Sequence, residues 1–279
     1  MQKTIRFAAI AAALAVLAGC AMKPMQPAPP AAAAGPEITL ARLDCGTGTN
    51  DLRRFTDTYA YSNPVSPFTF SCYLVKHGND YMVWDTGHAV GSNPSSPKIS
   101  VVQQLAQINV RPEQIKYVGV SHFHADHTGQ LASFPGATLM IGDREWAALR
   151  TTPPMGGANV AAFQHWLTGG GKVEPQGGDK DVFGDGNVML LRTPGHTPGH
   201  QSLLVRLKDK GPVILVGDAV HFIENYDTNG VPGFNVNGAD TIASIERIKQ
   251  IQKNLNATVI IQHDPRDLGK LPVWPAVAR

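Results

Sequence analysis

The chain concentrates metal-binding side chains in one short stretch, Ser121-His122-Phe123-His124-Ala125-Asp126-His127-Thr128-Gly129. Three imidazoles and one carboxylate fall within six positions, and these are nitrogen and oxygen donors of the kind that zinc and its first-row neighbours bind. Without a metal, so many clustered polar groups would make a poor core, because buried polar groups need partners. The stretch therefore favours a catalytic metal site over ordinary packing.

The spacing within this stretch predicts two adjacent metals rather than one. The preceding apolar run, residues 116–120, has the composition of a buried strand. If the chain stays extended beyond it, His122, His124 and Asp126 project to one side, because side chains two apart share a face. His127 breaks that period, so we expect it to point elsewhere.

Further candidate ligands lie at the ends of predicted strands. His196 is held between two Pro-Gly pairs in Thr193-Pro194-Gly195-His196-Thr197-Pro198-Gly199-His200, which predicts rigid turns around it. Asp218 and His263 each follow a short apolar run, and open sheets carry their sites at strand ends. His200 opens the next predicted strand, where a supporting role is expected.

Taken in chain order, these residues resemble the motifs of the metallo-β-lactamase superfamily: His-X-His-X-Asp-His, then His196, Asp218 and His263. Trp84-Asp85-Thr86-Gly87 resembles an earlier motif of that superfamily, whose Asp supports the site without binding metal. The resemblance covers almost all of the chain after residue 37. It implies an α/β fold, an αββα sandwich of two packed sheets with helices outside.

The resemblance also implies a binuclear metal centre. Each metal would have three ligands of its own: His122, His124 and His196 for the first, and Asp126, His127 and His263 for the second. Asp218 would bridge the two metals, which are expected to be zinc. The superfamily carries a water or hydroxide between its metals as nucleophile, and a bound divalent cation lowers the pKa of such a water toward about 7.

Finer motifs are similar to the N-acyl homoserine lactonase group of this superfamily. They lie at residues 43–48, 72–75, 84–87 and 193–205. Enzymes of this group open the lactone ring of bacterial quorum-sensing signals, so the implied substrate is a lactone or a related small acyl compound. In this hypothesis one metal polarises the ring carbonyl, the bridging hydroxide attacks it, and Asp126 passes a proton to the leaving ring oxygen.

One position departs from the lactonase pattern. Where well-known lactonases of the group carry a substrate-contacting tyrosine, three residues after the bridging aspartate, this chain has His221. An imidazole there could hydrogen-bond the substrate or shuttle a proton, which makes His221 a candidate catalytic residue. A packed, non-catalytic side chain is the alternative. Tyr226 lies nearby in sequence and is a candidate substitute.

Other functions remain open. A β-lactamase of the same superfamily would suit an exported protein, but the subclass with His-X-His-X-Asp-His generally lacks a bridging carboxylate, so Asp218 argues against it. A thioester hydrolase would use the same seven ligands. The non-enzyme alternative is a catalytically silent envelope lipoprotein that only binds, and the complete ligand set counts against it.

Two apolar segments could either bind substrate or fill the core. Residues 151–170 contain Met155, Phe163 and Trp166, which could wall an acyl-chain groove or simply cover the core. The segment 241–255 has isoleucines at positions 242, 245, 248 and 251. This near-helical spacing predicts an amphipathic helix with a core-facing stripe.

The first 36 residues predict export. Residues 1–19 resemble a lipoprotein signal peptide, with a basic start, an apolar run too short to span a bilayer, and Leu17-Ala18-Gly19-Cys20, which resembles a bacterial lipobox. Cys20 would carry the lipid, and no aspartate follows it, which in Gram-negative bacteria implies the outer membrane. An ordinary cleaved signal is the alternative.

The composition of residues 20–36 predicts a Pro/Ala-rich tether. Residues 37–279 are expected to form a periplasmic hydrolase domain.

Charge and cysteine content limit the partners. The chain has 24 basic and 22 acidic residues and no basic run interleaved with aromatics, so nucleic acid is not an expected partner. Membrane contact is expected only through a lipid on Cys20.

Cys45 and Cys72 lie in or beside predicted strands. A disulfide, which export would permit, and two buried thiols both fit the sequence.

Overall fold

Two β-sheets face each other in the computed structural model of the protein, which describes residues 35–61 and 63–279. The predicted signal peptide (1–19) and most of the predicted tether (20–36) lie outside the described residues. One compact unit runs from Pro36 to Arg279. Among the described residues, every helix is too short or too polar to cross a membrane.

The first sheet contains six strands: β1 (Ile38–Asp51), β2 (Val65–His77), β3 (Asp80–Trp84), β4 (Ile115–Gly119), β5 (Thr138–Gly142) and β6 (Val173–Gln176). They lie side by side in chain order, antiparallel from β1 to β3 and parallel from β3 to β6. The second sheet contains five strands: β7 (Lys180–Asp181), β8 (Val188–Arg192), β9 (Gln201–Leu207), β10 (Gly211–Leu215) and β11 (Thr258–Ile260). Their spatial order is β11-β10-β9-β8-β7, and only the β10–β11 pairing is parallel.

Short helices join the strands. The α-helices are α1 (Val101–Ala106), α2 (Ala125–Thr128), α3 (Asp143–Leu149), α4 (Gln164–Leu167), α5 (Ile223–Thr228) and α6 (Gly238–Leu255). Turns of 3-10 helix occupy Leu52–Phe55, Pro112–Gln114, Leu131–Ser133, Val160–Phe163, Gly217–Ala219 and Pro265–Lys270.

The alternation of side chains along the strands builds three apolar layers. In β9, Leu203 and Val205 belong to the layer between the two sheets, whereas Leu204 belongs to the layer on the outer face of the second sheet. This is expected, because successive side chains of a strand point to opposite faces. The central layer is completed from the first sheet, where Val75 and Trp84 are fully buried.

Helices cover both outer faces, so the αββα prediction is confirmed. On the second sheet, α6 packs Ile245 and Ile248 against the strands. The predicted stripe on this helix is wrong at Ile242, whose side chain is exposed. The helix buries Thr241 instead. Because adjacent residues of a helix face different directions, Ile242 then points away from the sheet.

The segment 151–170 covers the core. Phe163 and Trp166 are buried in the layer outside the first sheet, and Met155 packs against the same layer. The interpretation of an acyl-chain groove is therefore wrong for Phe163 and Trp166, and it stays a prediction for Met155, which is only partly buried.

The strands that precede the predicted site motifs bring those motifs to one edge of the sandwich. Because β3 and β4 are parallel, as are β10 and β11, the carboxyl ends of each pair lie together. Asp85 follows β3 and the His122–His127 stretch follows β4. Asp218 and His263 come shortly after β10 and β11.

A disulfide joins Cys45 of β1 to Cys72 of β2, which resolves the two possibilities left by the sequence. Both cysteines are fully buried. The bond packs against Gly87, whose φ of +66° favours glycine, and a Cβ there would come within 2.5 Å of the Cys45 Cβ. The disulfide thus supports the turn that follows Asp85.

Removing this disulfide should destabilise the fold. The bond closes a loop of 27 residues, so the double variant Cys45→Ala/Cys72→Ala should lose about 3.5 kcal/mol of unfolding free energy. Urea unfolding measures this difference. Reductant should lower the midpoint of the wild-type protein and leave that of the double variant unchanged; equal midpoints for the two proteins without reductant would contradict the prediction.

Candidate metal centre

The ligand-rich stretch changes conformation at Ala125. His124 has extended backbone angles (φ −67°, ψ 155°) and precedes α2, which begins at Ala125. Asp126 and His127 therefore lie on a helical turn, and the expectation that Asp126 projects with His122 and His124 is wrong. The turn directs Asp126 and His127 together toward a different set of partners.

The first group of candidate ligands brings three imidazoles to one point. The Nδ1 atom of His124 lies 2.8 Å from His122 Nε2 and 3.0 Å from His196 Nε2. The Oδ2 atom of Asp218 lies 3.3 Å from His196 Nε2 and 3.7 Å from His122 Nε2. These four atoms form a cluster that could hold one metal ion.

The second group lies on the other side of the same carboxylate. Asp218 Oδ1 is 3.1 Å from His127 Nε2 and 2.9 Å from His263 Nε2. The Oδ2 atom of Asp126 is 3.5 Å from His127 Nε2 and 3.7 Å from His263 Nε2. Asp218 thus offers one oxygen to each group, and the seven predicted ligands divide between the groups as the resemblance implies. Their binding of metal stays a prediction.

The donor atoms fit two divalent cations. Burial holds the pKa of His122 and of His196 well below the usual value, so these rings are neutral, which is the form that binds metals. Burial would raise the pKa of Asp218, but the imidazoles of His127 and His263 outweigh it and hold that pKa well below its usual range. Nε2 of His127 is buried, and although it lies 3.1 Å from Asp218 Oδ1, it makes no contact of hydrogen-bond geometry among the described residues. A cation in each group would satisfy such atoms.

The opposite ring nitrogens are held by partners that aim the imidazoles. Asp85 Oδ2 lies 2.8 Å from His127 Nδ1, as expected for a supporting aspartate. The backbone oxygen of Thr69 lies 2.7 Å from His263 Nδ1, and Asn235 Oδ1 lies 2.8 Å from His196 Nδ1. Because a partner at Nδ1 takes up that N–H, the lone pair at Nε2 is left for a metal.

His200 supports the centre without joining either group. Its Nε2 atom accepts a hydrogen bond from the backbone N–H of Asp218 at 3.0 Å, and its Nδ1 donates to the backbone oxygen of Thr193 at 2.9 Å. Burial lowers the pKa of His200 to about 4, so the ring stays neutral and can accept this bond. His200 thereby positions the backbone of the shared ligand.

A cavity of about 240 Å³ opens beside the two groups. Asp126 and His221 line it, together with an aromatic wall formed by Phe55, Phe68, Phe70 and Phe234. His221 is buried, and its Nε2 atom lies 3.2 Å from Asp218 Oδ2. Tyr226 does not substitute for it, because the Tyr226 hydroxyl donates to Gln252 Oε1 and the residue does not line the cavity.

Two residues that hold the centre together could not be predicted from the sequence. Buried Glu145 accepts the N–H of Phe123 at 2.8 Å and of Gly199 at 2.9 Å, and so ties the two ligand-bearing loops together. Burial raises the pKa of Glu145 to about 7. Asn235 lies 39 positions from the histidine it holds. Neither residue belongs to a motif, so only the packed structure reveals its role.

Comparison with known proteins identifies the family. The family model of the metallo-beta-lactamase superfamily matches residues 67–263. An N-acyl homoserine lactonase AttM from Rhizobium radiobacter is 31% identical over 236 residues, which cover 74% of this chain and 83% of that protein. An N-acyl homoserine lactonase from a Bacillus species is 30% identical over 175 residues, covering 63% and 66% of the two chains.

Solved structures share the fold. A quorum-quenching N-acyl homoserine lactone lactonase superimposes with a TM-score of 0.75 and 22% identity, covering 88% of this chain and 99% of the other. AidC, a dizinc quorum-quenching lactonase, superimposes with a TM-score of 0.64 and 18% identity, covering 86% and 90%. The matching motifs, the paired ligand groups and the shared fold lead to one conclusion: this chain belongs to the metallo-β-lactamase superfamily.

Proposed function

We propose that this protein is a two-metal hydrolase that opens the lactone ring of N-acyl homoserine lactones. The observation that carries the proposal is the Asp218 carboxylate, which offers one oxygen to each of two three-residue ligand groups at the wall of a cavity. The relatives named as N-acyl homoserine lactonases, which match most of the chain, support this choice of substrate.

The cavity suits a substrate with a polar ring and an apolar chain. Its metal-binding side presents Asp126 and Asp218, whereas the phenylalanine wall is apolar. Ligand cavities are commonly apolar with a few placed polar groups that set orientation. A lactone ring can therefore lie at the ligand groups while its acyl chain contacts the aromatic side chains.

The chain's own residues would hold the metals and handle the protons. Two divalent metal ions, for which we propose zinc, would supply an activated water and polarise the lactone carbonyl. The imidazoles fix the geometry through their partners at the opposite nitrogens. Asp126 lines the cavity beside the ligand groups, where its carboxylate can accept a proton.

The reaction adds one water to the ring. The water oxygen bonds to the carbonyl carbon, and the ring carbon–oxygen bond breaks. We propose that Asp126, which lines the cavity, holds the proton released by the water and delivers it to the ring oxygen. The product is an N-acyl homoserine, whose new carboxyl group releases one proton at neutral pH.

We also propose that His221 hydrogen-bonds the substrate. Its ring is packed against Phe55 at 5.0 Å, which fixes the orientation of the imidazole at the cavity. Nε2 lies beside Asp218 Oδ2, and Nδ1 is buried without a partner among the described residues. A hydrogen-bond donor on the His221 imidazole can reach an oxygen of a lactone ring that is bound beside Asp218.

We propose further that the protein is an exported lipoprotein, anchored to the outer membrane by a lipid on Cys20. The predicted signal peptide carries this proposal. The disulfide between Cys45 and Cys72 is consistent with it, because disulfides persist in oxidising compartments such as the periplasm.

The substrate is tested by a pH-indicator assay on three compounds: N-hexanoyl homoserine lactone, a cephalosporin and a thioester. The wild-type protein should turn over the lactone and contain two zinc ions per chain by elemental analysis. His122→Ala should lose metal and lower the rate at least about 100-fold, because it removes a ligand of the first group. His165→Ala, outside the cavity, is the control. Turnover of the cephalosporin alone, or full metal and rate in His122→Ala, would refute the assignment.

The role of His221 is tested by His221→Phe, which keeps an aromatic ring against Phe55 and removes both nitrogens. We expect kcat/KM for the lactone to fall about tenfold, the size expected for one lost hydrogen bond, with two metals per chain retained. Unchanged kcat/KM would show that His221 only packs. Loss of metal along with activity would show that it acts through Asp218 and not on the substrate.

The anchor is tested by Cys20→Ser in a bacterial host that processes lipoproteins. The wild-type protein should fractionate with the outer membrane, whereas the variant should lose this association because it lacks the lipid-accepting thiol. Immunoblots of membrane and periplasmic fractions measure the distribution. The same distribution for both proteins would contradict the proposal.

A further inference from the structure

Two polar side chains of the cavity take no part in holding the metals. Asn50 lies near the end of β1, and His88 follows the turn at Gly87; both line the cavity and both are half-buried. Neither side chain hydrogen-bonds to another residue in the part of the chain that the structure describes. Polar groups placed in a partly apolar cavity set the orientation of a ligand, so this pair is a candidate for substrate recognition.

The position of His88 is fixed by its surroundings. Its backbone oxygen accepts a hydrogen bond from Gln130 Nε2 at 2.9 Å, and its ring meets Phe70 edge-on at 4.7 Å. Burial lowers the pKa of His88, and the nearby Asp126 offsets this only in part, so the imidazole is neutral at neutral pH. A neutral imidazole offers one donor and one acceptor.

The hydrogen-bonding capacity of this pair matches an amide. The Asn50 amide also offers both donors and an acceptor. A lactone ring alone presents only oxygen acceptors, whereas an amide adds an N–H that needs an acceptor of its own. In an N-acyl homoserine lactone the amide nitrogen is attached to the carbon next to the ring carbonyl. A substrate whose carbonyl lies at Asp218 therefore places its amide inside the same cavity.

We propose that Asn50 and His88 bind the amide group of the substrate and make the cavity select N-acylated amino-lactones over alkyl lactones that lack the amide. This inference rests on the proposed lactonase function and assigns these two residues to specificity. A site built to hydrogen-bond a substrate group discriminates against analogues without it, because its own polar groups are then left unpaired.

The test compares two substrates in matched variants. His88→Phe keeps a ring against Phe70, and Asn50→Leu keeps the branched side-chain shape, while each removes the polar atoms. The substrates are N-hexanoyl homoserine lactone and an alkyl γ-lactone of similar chain length. In each variant kcat/KM for the first should fall about tenfold, with the second changed less than about twofold. His165→Phe, a histidine outside the cavity, should behave as the wild type on both.

Two further readouts separate recognition from structural damage. Both variants should keep two metals per chain by elemental analysis. By calorimetry, both should bind the product N-hexanoyl homoserine about tenfold more weakly than the wild type, as expected for one lost hydrogen bond. Equal losses on both lactones, or no loss on either, would overturn the proposal. A wild type that opens neither lactone would instead overturn the proposed function, so the two failures are distinguishable.

Discussion

The Asp218 carboxylate is shared between two groups of imidazoles and joins them into one candidate metal centre. Its two oxygens lie 2.9 to 3.3 Å from His263 Nε2, His127 Nε2 and His196 Nε2, and all four residues are buried. Buried polar groups at this density are costly unless something satisfies them all. Two cations would do so, and the fold can be understood as the means of holding these donors together.

Both sheets contribute to that arrangement. Asp85, after β3, accepts the backbone N–H of Ser121 at 2.7 Å and holds His127, while His200, just before β9, holds the backbone of Asp218. The disulfide beside Gly87 strengthens the turn that carries this aspartate. Partners of this kind orient metal ligands, and their loss typically weakens metal binding 10- to 100-fold. The stability of the sandwich and the geometry of the centre therefore share the same residues.

Local patterns in the sequence located the strand ends that carry the candidate ligands, and the resemblance of the motifs to the metallo-β-lactamase superfamily implied the fold class and the division of the ligands into two groups. Apolar runs followed by His or Asp mark strands that end at the site, and such runs can be recognised without a structure. The direction of Asp126 could not be predicted, because a helical turn begins at Ala125 where the strand period was assumed to continue. Asn235, Glu145 and His88 were missed, because their roles depend on contacts between segments far apart in the chain.

We propose that two metal ions lie on either side of Asp218. Anomalous X-ray diffraction at the zinc edge, on crystals of the zinc-loaded protein, would locate them. We expect two peaks about 3.5–4 Å apart, one among His122, His124 and His196 and the other among Asp126, His127 and His263. A single peak, or peaks away from Asp218, would contradict it.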